Sequence, residues 1–245
     1  MNDFTGDVTG PVIQVGEFKG VVNLAAAGRE PLRPRQLPAP ATLVNRTDTL
    51  AELDRLRPDP DGPGVTAVLS GPPGIGKTTV ALHWAHRRHG DFPDGQLYAD
   101  LRGHAPVEPA LPADVLGGFL RALGVPFDRI PVELGERAAL YRSMSADRRV
   151  LVVLDDALSA AQVTPLLPAS PGSLALVTSR WRLTGLLARG ARGIRIGPLG
   201  ADAALRLLDL VVGGERLGRE PDHARRLAEL CAGSPLALTV AAARL

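Results

Sequence analysis

Apolar runs and amphipathic segments alternate along the middle of this chain of 245 residues. Five apolar runs predict short strands, at 65–70, 95–101, 150–156, 173–180 and 193–199. The third run, VLVVLDD, has the unbroken apolar character that strands of parallel sheets favour. Segments with helical spacing separate the strands, and the first of them runs to about His89. This alternation predicts an α/β fold, with a parallel sheet, right-handed crossovers and helices on both faces.

The pattern changes toward both ends of the chain. After residue 200 it is wholly helical, which predicts a small helical subdomain. Before the first strand, LVNRTDTLAELDRL predicts an amphipathic helix from about Thr47. The preceding segment is rich in proline and arginine and shows neither the helical nor the strand period of apolar residues, which is typical of a linker. The predicted organisation is a β-prone tail at 1–25, a linker at 26–42, the α/β domain at 43–199 and the helical subdomain at 200–245.

Composition narrows the functional classes without naming one. The chain is 45% apolar and 22% charged with a formal net charge of +2, so charge alone gives no case for nucleic-acid binding. Its apolar runs are shorter than the roughly 18 residues that a membrane span needs. The single cysteine, Cys231, excludes an intrachain disulfide and suits a reducing compartment. We therefore expect a cytoplasmic protein without a membrane span.

The turn after the first predicted strand carries the strongest chemical signal. It reads GPPGIGKT at 71–78 and satisfies G-x-x-x-x-G-K-[ST] between a strand and a helix. In such a loop, backbone N–H groups and the helix N-terminus point at a phosphate chain. Lys77, one of only two lysines, is expected to reach the β- and γ-phosphates, and the Thr78 hydroxyl is expected to ligate Mg²⁺. The predicted nucleotide-binding residues of this loop are Pro73, Gly74, Ile75, Gly76, Lys77, Thr78 and Thr79.

Two further strand ends supply charged groups. Asp155 and Asp156 end the third strand, where Asp155 is expected to hold the metal and Asp156 to orient or deprotonate an attacking water. The alternative for this pair is an N-cap of a helix that starts near Ala157. Arg180 ends the fourth strand, at the edge where open α/β sheets bind ligands, and is expected to contact a γ-phosphate. Its alternative is an ordinary surface arginine. The predicted catalytic residues are Lys77, Asp155, Asp156 and Arg180.

With these motifs in order, residues 42–245 resemble the NB-ARC branch of the STAND nucleotide-binding switch ATPases. The resemblance rests on LVNRTDTLAEL, on the Walker B run LVVLDD, on ALVTSR and on CAGSPLAL. It implies that Val44, Asn45 and Arg46 lie along the adenine, with Asn45 in place of the usual glycine. It also implies that Gly233 and Pro235 close over the base from the helical subdomain. The implied sheet is that of a P-loop NTPase, with five parallel strands in the order 2-3-4-1-5.

The resemblance implies a function as well. ATP or ADP with Mg²⁺ is expected between the sheet and the helical subdomain, with slow hydrolysis and a homo-oligomer on activation. Members of this group usually continue into a winged helix and sensor repeats, so we expect a fragment of a longer protein, with a minimal relative as the alternative. The other functional alternatives are an ATPase module of a transcriptional regulator, a P-loop kinase or motor, and a scaffold adaptor with structural nucleotide. Direct nucleic-acid binding is not expected, because no helix-turn-helix pattern is present.

The first 25 residues carry a separate signal. Gly6–Val12 and Gly16–Val22 match at an offset of ten residues. The core between them, formed by Val12, Ile13, Gln14, Val15 and Gly16, resembles the RHIM-type motif of bacterial amyloid signalling. Short β-prone segments with glutamine stack in register, although Pro11 opposes a continuous zipper. We therefore expect a signalling tail whose partner is an effector with a matching amyloid-type motif, in bacterial immune or regulatory signalling. The alternatives are a disordered leader and a docked hairpin.

Overall fold

The computed structural model describes residues 33–59, 61–213 and 219–244. Its sheet has five parallel strands in the order β2-β3-β4-β1-β5, which confirms the predicted P-loop NTPase topology. The strands are β1 (Val65–Ser70), β2 (Gln96–Asp100), β3 (Leu151–Asp155), β4 (Leu174–Ser179) and β5 (Arg192–Arg195). The fifth strand is shorter than the predicted 193–199, because Pro198 has no N–H to donate and Gly197 precedes it.

Helices flank the sheet on both faces. In the described part of the chain they are α1 (Thr47–Arg55), α2 (Lys77–Arg88), α3 (Pro112–Ala122), α4 (Leu134–Ser145), α5 (Ala160–Val163), α6 (Thr184–Leu187), α7 (Ala201–Val212), α8 (Pro221–Leu230) and α9 (Pro235–Ala242). In these ranges, none of the helices combines the length and apolar character that crossing a membrane requires.

Alternate residues of the central strands enter two separate cores. In β3, Val152 and Leu154 pack in the core shared with α3 and α4, whereas Leu151 and Val153 pack in the core shared with α1 and α2. Strand side chains alternate between faces, so one unbroken apolar run supplies both cores. Every residue of β3 and β4 is buried, as expected of inner strands of a parallel sheet.

The carboxyl ends of the inner strands lie side by side. Ser70 of β1 pairs with Ser179 of β4, and Asp100 of β2 pairs with Asp155 of β3. The glycine-rich loop, the two aspartates and Arg180 therefore all follow strands at the same edge of the sheet. Ligands of open α/β sheets bind at this edge.

The helices after residue 200 have a core of their own. It is built by buried residues of α7, α8 and α9 and by Leu199, and Val44 packs against it. The Leu199 N–H donates to the Gly233 carbonyl at 2.8 Å, and the Leu236 N–H donates to the Gly74 carbonyl at 3.2 Å. These two bonds join the helical subdomain to the end of β5 and to the glycine-rich loop.

Residues 33–42 belong to the predicted linker, and we call them the strap. Its residues 34–36 pair with the outer edge of β2. The Gln96 N–H donates to the Pro34 carbonyl at 2.7 Å, and the Gln36 N–H donates to the Gln96 carbonyl at 3.0 Å. The Gln36 side chain also accepts a hydrogen bond from the Tyr98 N–H. Three residues of the predicted linker are thus paired with the sheet. The predicted tail and its motif, Val12 to Gly16, lie outside the described residues.

Candidate nucleotide-binding site

The glycine-rich loop connects β1 to α2 and holds its lysine close to its own backbone. Lys77 is buried, and its Nζ donates to the carbonyls of Gly71 and Pro72 at 3.0 and 2.9 Å. Burial lowers the pKa of this ammonium group, Arg180 lowers it further, and the Asp156 and Asp155 carboxylates raise it. The charges of both aspartates and of Arg180 therefore act on Lys77, while the catalytic roles predicted for these four residues stay predictions.

Thr78 and Asp155 form the centre of the polar network. The Thr78 hydroxyl donates to Asp155 Oδ1 at 2.8 Å, and the Thr178 hydroxyl donates to the same oxygen at 2.5 Å. The Tyr98 hydroxyl lies 3.4 Å from Asp155 Oδ2. Burial raises the pKa of the Asp155 carboxyl, against the effect of the two threonine hydrogen bonds. A hydroxyl and a carboxylate on adjoining elements are oxygen donors of the kind Mg²⁺ takes, so the residues present fit the predicted ion.

A cleft of about 410 Å³ lies above this loop, between the sheet and the helical subdomain. Its size is in the range of small-molecule and cofactor sites. Nine residues predicted to bind nucleotide line it: Val44, Arg46, Gly74, Ile75, Gly76, Lys77, Thr78, Thr79 and Pro235. Residues that the sequence did not single out complete the lining: Ala41, Thr42, Leu43, Leu199, Leu207, Leu236 and Thr239. Apolar residues from segment 41–44 and from the start of α9 contribute to this lining.

Arg46 links the two sides of the loop region. Its guanidinium donates to the Ile75 carbonyl at 2.9 Å and to the Gly197 carbonyl at 2.8 Å. Burial lowers the pKa of this group. Arg46 thus ties the glycine-rich loop to the segment after β5 while it lines the cleft.

Asn45, Pro73 and Gly233 do not line the cleft in this structure. The backbone of Asn45 has a φ of 42°, in the left-handed region that asparagine adopts more readily than most residues, so it can occupy the place of a glycine. Gly233 lies where a Cβ atom would come within 2.3 Å of the Leu199 carbonyl oxygen, which makes it a close-packing position between elements. The nucleotide contacts predicted for these three residues stay predictions.

The two acidic residues at the end of β3 have different surroundings. Asp155 faces Thr78, whereas the carboxylate of Asp156 accepts two hydrogen bonds from His104, which lies in the loop after β2. The alternative of a helix N-cap is wrong, because α5 begins at Ala160 and the Ser159 side chain caps it. Arg180 is exposed at the end of β4, next to the buried Ser179.

Sequence reasoning missed Tyr98, Thr178 and His104. Thr178 and Tyr98 lie on strands that flank Asp155. The sequence does hold a signal for Thr178, because the predicted fourth strand carries the hydroxyl residues Thr178 and Ser179 directly before Arg180. His104 has no local signal, since its partner is 52 residues away.

The strand order, the loop between β1 and α2 and the Thr78–Asp155 pair define a P-loop NTPase fold with an intact phosphate-binding loop. No protein-family model matches the sequence. The chain is homologous to a segment of "Regulatory protein AfsR" of Streptomyces griseus, with 45% identity over 216 residues, and to its counterpart in Streptomyces coelicolor, with 45% identity over 221 residues. Each match covers 87% of this chain and 22% of the relative, so the chain spans about a fifth of the length of these regulatory proteins.

Solved structures share the fold at low identity. A STAND protein with a tetratricopeptide repeat sensor from Pyrococcus horikoshii matches with a TM-score of 0.53 and 19% identity, over 85% of this chain and 31% of that one. A Walker-type ATPase of Pyrococcus abyssi matches with a TM-score of 0.54 and 14% identity, over 82% of this chain and 67% of that one. At such identities the likeness concerns the fold.

Proposed function

We propose that this chain is the nucleotide-binding switch of a bacterial regulator, which binds ATP or ADP with Mg²⁺ and hydrolyses ATP slowly. The observation that carries the proposal is the position of the cleft, with the phosphate-binding loop below it and residues of α9 beside it. The Leu236 N–H bonds directly to the Gly74 carbonyl, so a nucleotide in the cleft touches both the loop and the helical subdomain. Different phosphate chains then favour different positions of that subdomain.

Each residue of the site has a role in this proposal. The N–H groups of the loop and the start of α2 bind the phosphates, and Lys77 leaves its two carbonyl partners to reach the β- and γ-phosphates. Thr78 and Asp155 hold the metal ion, which when bound neutralises charge on the phosphates. Arg180 reaches for the γ-phosphate from the end of β4, while Arg46 keeps the loop in place.

The relatives are named as regulatory proteins, which favours a role in regulation over the kinase, motor and scaffold alternatives. Because the homologous segment is only part of those proteins, we infer that this chain acts as an ATPase module within a multidomain regulator. A kinase or a motor receives no such support. The tandem at Gly6–Val22 supports a second output, in which clustering of the ATPase brings amyloid-type tails together to seed an effector. A peptide of residues 1–25 that stays monomeric and thioflavin-negative at high concentration would sink that second output.

The test of the switch is the mass of the purified chain in different nucleotides. Light scattering with MgADP is expected to give a monomer, and a non-hydrolysable ATP analogue is expected to give a homo-oligomer. Lys77→Ala serves as the control and is expected to give the same mass in both. An unchanged mass of the natural chain in the two nucleotides, with both shown to be bound, contradicts the proposal.

A further inference from the structure

The loop after β2 is fastened to the turn that carries Asp156. The Leu101 N–H donates to the Asp155 carbonyl at 2.8 Å, and the Gly103 N–H donates to the Asp156 carbonyl at 2.7 Å. A Cβ atom at Gly103 would lie 2.5 Å from the Asp156 carbonyl oxygen, so only glycine allows this approach. The two backbone segments therefore meet at a fixed distance.

This contact aligns the next residue, His104, with the Asp156 side chain. The His104 N–H donates to Oδ2 at 2.8 Å, and its Nδ1 lies 2.9 Å from Oδ1. Because a carboxylate oxygen accepts, Nδ1 carries the proton and donates. The other ring nitrogen, Nε2, is buried and has no hydrogen-bond partner within the part of the chain that the structure describes. Among the described residues, Asp156 is thus the only hydrogen-bond partner of the imidazole ring.

Surrounding groups hold the pair in place. The backbone of Asp156 has a φ of 49°, and its N–H donates to the Thr178 hydroxyl at 2.9 Å. The indole ring of Trp181 lies beside the imidazole, with ring centroids 6.3 Å apart. Asp156 and the neighbouring Asp155 therefore point at different partners, although they are adjacent in the chain.

This arrangement constrains what Asp156 can do. A general base must reach the attacking water at about 2.6–3.2 Å, with a carboxylate oxygen directed at that water. Both carboxylate oxygens of Asp156 accept hydrogen bonds from His104, so a residue of the β2–α3 loop sets the orientation of this carboxylate. The side chain is therefore held toward the β2–α3 loop, and turning the carboxylate toward an attacking water breaks at least one of these hydrogen bonds.

We propose that His104 is a positioning residue that restrains Asp156 and so keeps ATP turnover slow. The restraint rests on the proposed ATPase function and deepens it. Release of Asp156 from the imidazole makes the carboxylate available to accept a proton from the attacking water. A displacement of the β2–α3 loop, for example by a partner that binds it, would release the restraint in the natural protein.

The test is steady-state hydrolysis of MgATP by variants at these two positions. His104→Ala is expected to raise kcat about fivefold, the size of one lost hydrogen bond, with KM within about twofold of the natural value. His104→Asn keeps an amide donor near the place of Nδ1 and is expected to restore the natural rate. The increase requires Asp156, so the double variant His104→Ala/Asp156→Asn is expected to be no faster than Asp156→Asn.

Other results overturn the inference. A lower or unchanged kcat for folded His104→Ala, with ATP still bound, shows that His104 does not restrain the reaction, as does an increase that persists without Asp156. If His104→Ala does not fold, His104→Phe fills the same buried space without a donor and is held to the same expectation. Absence of nucleotide binding by the natural chain is a different failure, because it overturns the proposed function itself.

Discussion

At the residue scale, burial of the Asp155 carboxylate is an unfavourable contribution to the stability of the folded chain. A buried carboxylate loses the favourable free energy of its hydration. Hydrogen bonds from the Thr78 and Thr178 hydroxyls compensate only part of this loss. Burial therefore raises the pKa of this carboxyl. A bound cation would stabilise the negative charge of Asp155. A buried carboxylate that lacks full compensation from the protein is therefore well suited to bind a metal ion.

Replacement of Asp155 by asparagine tests this cost. Below the pKa of ~3.9 that Asp155 has in the unfolded chain, both states hold the proton. Because the pKa is raised in the folded chain, ionisation of Asp155 destabilises the folded state as pH rises from there through the folded-state pKa. Asp155→Asn without nucleotide or metal is thus expected to gain stability relative to the natural chain as pH increases. Urea unfolding from pH 4 to pH 8 measures this, with exposed Asp147→Asn as the control for lost charge. A difference that shrinks as pH rises contradicts the assignment.

At the element scale, the strap replaces a missing neighbour of the edge strand β2. Its pairing with Gln96 covers backbone groups that an open edge would expose. The following strap residues 41 and 42 line the cleft, so one short segment runs from the sheet edge to the candidate site.

Gly95 is the position at which strap docking is most sensitive. Its φ is 126°, and a Cβ atom there would lie 2.6 Å from Cδ of Pro34. Gly95→Ala is expected to lower the free energy of unfolding by about 2 kcal/mol, because it strains the backbone and pushes the strap off β2. Gly190→Ala is the matched control, since its φ of 93° brings similar backbone strain while a Cβ there meets no atom within 4 Å. Thermal unfolding of both variants checks this, and equal losses would show that the strap contact is not responsible.

Helix α9 offers a second test at this scale. Leu236 lines the cleft and lies against Gly74, whereas Val240 on the same helix does not line it, and both are partly exposed. Leu236→Ala is expected to weaken nucleotide affinity about fivefold by removing apolar contact with the ligand, and Val240→Ala is expected to leave it unchanged. Fluorescence titration with a labelled nucleotide separates them. Equal affinities of the two variants would place the ligand away from α9.

Most of the fold was predictable, because its elements are encoded locally. Continuous apolar runs specify β3 and β4, and the glycine-rich turn marks the start of α2. The strand order came from the resemblance that these motifs carry. Contacts between distant loops were not predictable: the Gln36–Gln96 pairing and the His104–Asp156 pair join residues that no periodicity connects. The sequence thus predicted which groups meet at the sheet edge, but not the partner that Asp156 takes.

At the scale of the whole molecule, the sheet and the helical subdomain meet at the border of the cleft. The Gly74–Leu236 and Leu199–Gly233 hydrogen bonds join the two, and Arg46 bonds to the loop and to Gly197 beside them. Movement of the subdomain must therefore change the shape of the candidate nucleotide site. A nucleotide switch requires such coupling. We therefore expect that the presence of a γ-phosphate in the cleft changes the position of the helical subdomain.

The central claim is that this cleft binds nucleotide through the P-loop, and calorimetric titration of the purified chain with MgADP tests it most directly. The chain has two lysines, which provide a matched pair of variants. Lys77→Ala removes the charge that reaches the phosphates and is expected to weaken binding by at least about 100-fold, whereas Lys19→Ala is expected to bind as the natural chain does. Equal affinity of Lys77→Ala and the natural chain, or no binding by the natural chain, would contradict the account.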